Sequence, residues 1–137
     1  MNILGIESSC DETSAAVVRD GREVLSCEVL SQIEIHAVYG GVVPEIASRK
    51  HLETIAGLAE RAVKASGCGI NNIDAIAVTN RPGLIGALLT GISFAKGASY
   101  ALGIPLVAVN HIYGHIASSY LAFPELEPPF TALSVSG

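Results

Sequence analysis

The order of the predicted elements constrains the fold of this chain more than any other feature of its sequence. Residues 2–7, 13–19 and 23–30 are short apolar segments typical of strands, and Asp20-Gly21 between the last two is a strong hairpin turn. Helical and strand-like segments alternate through the rest of the chain. A meander followed by crossover helices predicts a mixed five-stranded sheet with flanking helices, in the α/β class.

The remaining elements are predicted from apolar periodicity and from residues typical of helix ends. Residues 31–43 are predicted to form a loop, and Pro44 fits the first turn of a helix that Gly67 ends. A helical apolar stripe supports that helix; it consists of Leu52, Ile55, Ala59, Ala62 and Val63. The later elements are predicted as a strand at 73–79, a helix at about 83–102 and a strand at 105–109.

The composition is apolar for a free-standing soluble domain, with 50% hydrophobic and 15% charged residues in 137 positions. Residues 130–137 are predicted to form a strand that enters a turn. We therefore expect residues 1–128 to form an N-terminal lobe and residues 129–137 to begin a second, truncated lobe. An apolar strand without sheet neighbours is expected to self-associate or to lose its order.

Cysteine usage and charge favour a cytosolic protein. The three cysteines, Cys10, Cys27 and Cys68, show no two-residue spacing and are expected to be reduced thiols. The sequence start has no basic region typical of a signal peptide, and polar residues interrupt the least charged stretch, so we expect no membrane span. The net charge of −5 does not favour general nucleic-acid binding.

His111 and His115 form the first candidate site. They follow the apolar segment 105–109 directly, and Asn110 is a good helix N-cap. In a helix that runs from residue 111 to 121, the four-residue spacing puts both imidazoles on one face, where they could bind one divalent metal. The alternative is a capped helix with two half-buried histidines. Two ligands do not close a metal site, so the hypothesis requires at least one more.

Two further polar segments follow predicted strands. Asp11 and Glu12 are adjacent carboxylates that could orient a metal-bound phosphate or a nucleophile, and the alternative is an ordinary polar turn. The segment 81–86 opens a helix after a strand, where backbone N–H groups can face an anion. Its alternative is close packing of a helix on the sheet. All three segments lie at strand ends, where one cleft could collect them.

These segments resemble the tRNA threonylcarbamoyladenosine transferases, a family long labelled O-sialoglycoprotein endopeptidase. The similar stretches are 7–13, His36 with 39–45, and 110–115, in order along the chain. The resemblance implies the ribonuclease H-like N-terminal lobe of the actin, Hsp70 and sugar-kinase superfamily. It also implies transfer of threonylcarbamoyl from threonylcarbamoyl-adenylate to the adenosine 3′ of the anticodon. One departure is Arg81, since the family has glycine before Pro82 and Gly83.

The resemblance also implies roles for individual residues and partners. His111 and His115 would bind one divalent metal per subunit, with iron expected first and zinc as the alternative, and an aspartate of the second lobe would be the third ligand. Asp11 and Glu12 are the candidate catalytic residues. The expected partners are tRNA, bound mainly by residues beyond this chain, threonylcarbamoyl-adenylate or ATP, and accessory proteins of a threonylcarbamoylation complex. The candidate substrate-binding residues are Ser9, Ser134, Val135, Ser136 and Gly137.

Three other functions are alternatives to the transferase. An ATP-dependent kinase or ATPase of the same superfamily is the second choice, because fold alone does not fix function. A non-catalytic scaffold paralogue would need neither the histidine pair nor the two carboxylates. A metalloprotease fits poorly, because zincins place a general-base glutamate between their histidines and residues 112–114 contain none.

Overall fold

The computed structural model describes residues 1–135, and within this range five strands form one mixed sheet in the order β3-β2-β1-β4-β5. The antiparallel neighbours are β1 (Asn2–Glu7), β2 (Glu12–Arg19) and β3 (Glu23–Ser31). Two strands run parallel to β1 on its other side, β4 (Ala75–Arg81) and β5 (Leu106–Asn110). The predicted α/β class and five-stranded mixed sheet are confirmed.

The hairpin between β2 and β3 forms where the sequence predicts it. Asp20 and Gly21 both have positive φ angles, 52° and 69°, as a type I′ turn requires. The Arg22 N–H donates to the carbonyl oxygen of Arg19 at 3.1 Å, which closes the turn. The turn chemistry therefore joins β2 to β3 as an antiparallel hairpin, whose register shifts at a bulge between Val17 and Val18.

Helix α2 (Pro44–Ser66) begins and ends where its boundary residues predict. Pro44 lies in the first turn, and Gly67 adopts a left-handed φ of 69° at the C-terminal end. The predicted apolar stripe is wrong at one position, because Leu52 is 72% exposed. His51 and Leu58 lie on the buried face instead, since at 100° per residue positions 51, 55, 58 and 62 share one side.

Between β3 and the end of α3, several predicted bounds differ from the structure. The loop predicted at 31–43 contains a short helix, α1 (Ile33–Ala37), which has no side-chain N-cap and so left no local mark in the sequence. Strand β4 begins at residue 75 rather than 73, after a 3₁₀ turn (Ile70–Asn72). Helix α3 (Ile85–Leu102) begins two residues late, because the Leu84 N–H donates to the Ser9 carbonyl at 2.8 Å.

Helices α2 and α3 pack side by side on one face of the sheet. α3 has the length and apolar composition of a helix that could cross a membrane, with a mean hydropathy of 1.2 over 18 residues, yet here it packs against β4 and α2. The strands alternate inward and outward side chains, so the covered face holds the core. Buried on that face are Leu4, Ile6, Ala15, Val17, Ile76 and Val78.

The chain after β5 is helical and then irregular. The helix predicted from 111 to 121 is divided at Ser118 into α4 (His111–Ala117) and α5 (Ser119–Ala122). The strand predicted at 130–135 is absent, since these residues pair with no strand of the described chain. The strand prediction for residues 136 and 137 lies outside the described range. Arg22 holds this region, because its guanidinium donates to the carbonyl of Pro124 at 2.9 Å.

Candidate functional site

Helix α4 places the two candidate histidines at the carboxyl end of β5. The Asn110 side chain caps the helix as predicted, because its Oδ1 accepts the N–H groups of Ile112 at 2.9 Å and Tyr113 at 3.4 Å. The strand therefore passes into the helix without a loop. His111 lies at the first helical position and His115 one turn later, so both side chains lie at the edge where parallel strands end.

The two imidazole rings are in contact in an edge-to-face arrangement. The Nε2 atoms of His111 and His115 are 3.0 Å apart, and the ring planes are nearly perpendicular, at 85°. His115 is exposed, and the His111 side chain is 31% exposed. The predicted convergence of the two imidazoles is confirmed, and solvent can reach the point where they meet.

Glu7 lies on the other side of the His111 ring. Its Oε2 is 3.1 Å from His111 Nδ1 and accepts the Thr79 hydroxyl at 2.5 Å, while its Oε1 accepts the Ser9 N–H. Burial raises the pKa of this carboxyl, but the hydrogen bonds from Ser9, Thr79 and His111 outweigh it and hold the pKa below its usual value. Glu7 is therefore a carboxylate at neutral pH.

A hollow of about 300 Å³ opens beside this cluster on the sheet face that α2 and α3 do not cover. Its floor is made of small residues, Gly5, Ala16 and Ala77, and its rim includes Glu7 and both site histidines. The small side chains leave the space that larger ones would fill. A ligand in this hollow would lie beside His111 and His115.

Contacts from two helices fix the turn between β1 and β2. The Ser8 hydroxyl donates to the carbonyl of Ala87 at 2.9 Å, which joins the turn to α3. His51 of α2 donates from Nε2 to the carbonyl of Cys10 at 2.9 Å, and its Nδ1 accepts the Thr13 hydroxyl at 2.7 Å. Side-chain hydrogen bonds to both α2 and α3 therefore hold the turn that carries Ser9 and Asp11.

Of the predicted substrate-binding residues, Ser9 lies nearest the histidines, with its hydroxyl 3.3 Å from His111 Nδ1. Ser134 and Val135 line a second depression together with His115. Ser136 and Gly137 lie outside the described residues. Asp11 and Glu12 stand at the start of β2 and are not among the residues that line the hollow, so their catalytic role stays a prediction.

Comparison with known proteins decides the family. The family model described as tRNA N6-adenosine threonylcarbamoyltransferase (TsaD) matches residues 23–137. The transferase of that name from Caldicellulosiruptor saccharolyticus is 59% identical over all 137 residues, which are 41% of its own length. The one from Geotalea uraniireducens is 61% identical over the same 137 residues, 40% of its length. The chain belongs to the TsaD family. It spans about two fifths of the length of these relatives.

A solved structure agrees with the fold assignment. YeaZ from Pseudomonas aeruginosa superimposes with a TM-score of 0.58 at 21% identity, over 80% of this chain and 45% of that one. At this identity the likeness concerns the fold alone. The chain has the ribonuclease H-like fold that the resemblance implied, built on a mixed five-stranded sheet.

Glu7 and Thr79 were not predicted as functional residues. The available sign was a single carboxylate at the end of an otherwise apolar strand, and a hydroxyl at the corresponding place in β4. Their partnership depends on the parallel pairing of β1 with β4, which aligns Ile6 with Val78 and so brings the next residues together. His51 was also missed, because a histidine on a helix does not by itself reveal a buried partner.

The histidine pair fits part of a divalent metal site. Two nitrogens, each about 2.0–2.1 Å from one ion, are about 2.9–3.4 Å apart at ordinary ligand angles. The observed 3.0 Å lies in that interval. Among residues 1–135 no three His, Cys, Asp or Glu side chains are grouped closely enough to hold a metal. The donor set supplies two ligands, so a complete site needs a third from outside the described residues.

Proposed function

We propose that the protein containing this chain transfers threonylcarbamoyl from threonylcarbamoyl-adenylate to the adenosine 3′ of the anticodon in tRNA. Family membership supplies the reaction. The observation in this chain that carries the proposal is the His111–His115 pair, whose Nε2 atoms are 3.0 Å apart at the mouth of a hollow. A scaffold paralogue would have no use for that arrangement.

The reaction is an acyl transfer. The N6 amine of adenosine attacks the carbamoyl carbon of the donor and forms the new C–N bond. The bond from that carbon to the phosphate oxygen breaks, AMP leaves with the electron pair, and the amine proton passes to a base or to solvent. The protein must hold donor and acceptor in line and stabilise the charge that develops on oxygen.

The residues of this chain divide these tasks. His111 and His115 would hold one divalent ion, iron or else zinc, which would supply Lewis-acid chemistry to polarise the donor. Asp11 and Glu12 position the donor or the attacking amine from the turn that His51 fixes. Ser9 binds substrate next to His111, and the segment that includes Ser134 and Val135 binds it from the side of His115, continuing into Ser136 and Gly137.

The proposed partners follow from the same reaction. The tRNA is bound mainly by residues beyond this chain, in agreement with the net charge of −5. The adenylate or ATP occupies the hollow, and accessory proteins complete a threonylcarbamoylation complex in the cytoplasm. The third metal ligand comes from a second lobe, which we propose begins at residue 129.

Depletion of the full-length protein tests the proposed reaction directly. Mass spectrometry of tRNA nucleosides should show loss of N6-threonylcarbamoyladenosine, restored by the wild-type gene and not by one carrying His111→Ala and His115→Ala. Tyr113→Ala is the matched control, because Tyr113 is exposed on the same helix and does not line the hollow. Unchanged levels of the modified nucleoside after depletion would exclude the proposal.

The metal is tested by elemental analysis of the purified full-length protein. We expect iron or zinc near one ion per subunit in the wild type and in Tyr113→Ala. The double histidine variant should lose most of this metal while it keeps its circular dichroism spectrum, because both side chains lie at the surface of the fold. Full occupancy in the double variant would remove the metal from the proposal.

A further inference from the structure

Glu7 makes polar contacts through both of its carboxylate oxygens. One oxygen accepts the Ser9 backbone N–H, and the other accepts the Thr79 hydroxyl at 2.5 Å and lies 3.1 Å from His111 Nδ1. These partners come from the turn after β1, from β4 and from α4. The carboxylate thus joins three elements that meet at the carboxyl edge of the sheet.

The contact with His111 determines which ring nitrogen carries the proton. Both carboxylate oxygens of Glu7 already accept hydrogen bonds, from the Ser9 N–H and the Thr79 hydroxyl, so His111 Nδ1 is the donor in its contact with Oε2. A neutral imidazole with its proton on Nδ1 has its lone pair on Nε2. That atom faces His115 Nε2 at 3.0 Å. The orientation of the ring and the position of its lone pair are therefore both fixed from the Glu7 side.

We propose that Glu7 is a positioning residue that keeps His111 in its Nδ1–H tautomer and so directs the Nε2 lone pair to the point shared with His115. Thr79 supports this role by holding the same carboxylate oxygen. The proposal rests on the proposed metal function, in which both Nε2 atoms are ligands. A carboxylate that orients a ligating histidine typically changes metal affinity by about 10–100-fold.

Glu7 does not act as the third metal ligand in this arrangement. Its Oε2 contacts Nδ1, on the opposite side of the imidazole ring from Nε2. Within the described residues no group of three potential ligands exists that would include it. Its action on the site is therefore exerted through the ring of His111.

The test uses the metal-free full-length protein with isosteric variants. Glu7→Gln removes the charge, Thr79→Val removes the hydroxyl that holds the carboxylate, and Thr79→Ser keeps that hydroxyl. The tautomer of His111 is read from the ¹⁵N and ¹³C shifts of its ring, assigned with His111→Ala. Zn²⁺ affinity is measured by competition with a chromophoric chelator. A role confined to stability would move neither measurement in folded protein.

In the wild type and in Thr79→Ser, His111 should carry its proton on Nδ1. In Glu7→Gln the proton should shift toward Nε2, and the Zn²⁺ dissociation constant should rise by about 10–100-fold. Thr79→Val should shift the tautomer of His111 and the Zn²⁺ dissociation constant in the same direction as Glu7→Gln, but by less. An unchanged tautomer in Glu7→Gln overturns the assignment, and so does an unchanged Zn²⁺ affinity when His111→Ala weakens binding.

The proposed metal function fails by a different result. If His111→Ala leaves Zn²⁺ affinity unchanged, the histidine pair is not the metal site. The tautomer measurement still decides the role of Glu7 in that case, because it is made without metal. A shift of the proton in Glu7→Gln supports the positioning role, and no shift overturns it.

Discussion

The two faces of the central sheet differ in what their side chains do. On the face covered by α2 and α3, residues such as Ile6, Val17 and Ile76 are almost fully buried. On the opposite face the same strands carry Gly5 and Ala77, which leave a hollow instead of filling a core. The difference arises because successive residues of a strand point to opposite sides.

This comparison separates the residues that stabilise the fold from those that form the site. Each buried aliphatic side chain of the covered face contributes about 1.5–3 kcal/mol by its removal from water. The open face buries few apolar side chains and so contributes little free energy of this origin. Its polar residues Glu7 and Thr79 lie at the strand ends beside His111. Substitutions on the two faces should therefore affect different measurements.

The largest effect is expected at Asp11, in the turn between β1 and β2. In the full-length protein, Asp11→Ala should slow single-turnover transfer by about 10²–10⁴-fold, the range typical of positioned acid–base or orienting groups. Its midpoint of thermal unfolding should change little. Glu60→Ala is the control, since this carboxylate is exposed on α2. Equal rates in Asp11→Ala and wild type would leave Asp11 as part of an ordinary polar turn.

The covered face should respond in stability. Leu58 is 1% exposed on the buried side of α2, and Leu58→Ala should lower the free energy of unfolding by about 2–5 kcal/mol, because it leaves a cavity in the core. Leu52→Ala, on the exposed side of the same helix, should change it by about 0.5 kcal/mol or less. Urea denaturation measures both. Similar losses in the two variants would contradict the assignment of the buried face.

Gly83 lies where the fold and the site meet. A Cβ at this position would be 2.6 Å from the carbonyl oxygen of Ser9 and 2.8 Å from its Cβ. Gly83→Ala should therefore cost about 1–3 kcal/mol of stability and displace Ser9, which also contacts His111. Gly97→Ala is the control, because nothing lies within 4 Å and alanine stabilises a helix by about 0.5–1 kcal/mol. A stable Gly83→Ala protein with normal transfer would show that Ser9 can move away from the added methyl group without cost to the site.

The smallest effect concerns the thiol of Cys10. Burial and the neighbouring Asp11 carboxylate raise the pKa of Cys10, so less of it is thiolate at a given pH. Asp11→Asn should lower that pKa and speed the alkylation of Cys10 near pH 8. Mass spectrometry of peptides after timed iodoacetamide treatment gives the rate, with the exposed Cys27 as internal standard. An unchanged rate in Asp11→Asn would mean that the carboxylate does not raise the pKa of this thiol.

Local chemistry explains which elements could be predicted. Asp20-Gly21, Pro44, Gly67 and Asn110 each satisfy a turn or a helix end through their own backbone or side chain, and all four lie where they were expected. Helix α1 was missed because it has no such residue. It is held by contacts of the buried His36, which donates to the Gln32 side chain at 3.1 Å and accepts the Val43 N–H at 3.3 Å.

By itself the sequence determined the α/β sheet, the hairpin and the pairing of His111 with His115, because periodicity and helical spacing act over a few neighbouring residues. Only the tertiary structure decided the partners of that pair. Glu7 and Thr79 are 72 positions apart, and Glu7 and His111 are 104 apart. They meet because β1, β4 and β5 run parallel and end at one edge, and strand order across a sheet leaves no mark in local sequence.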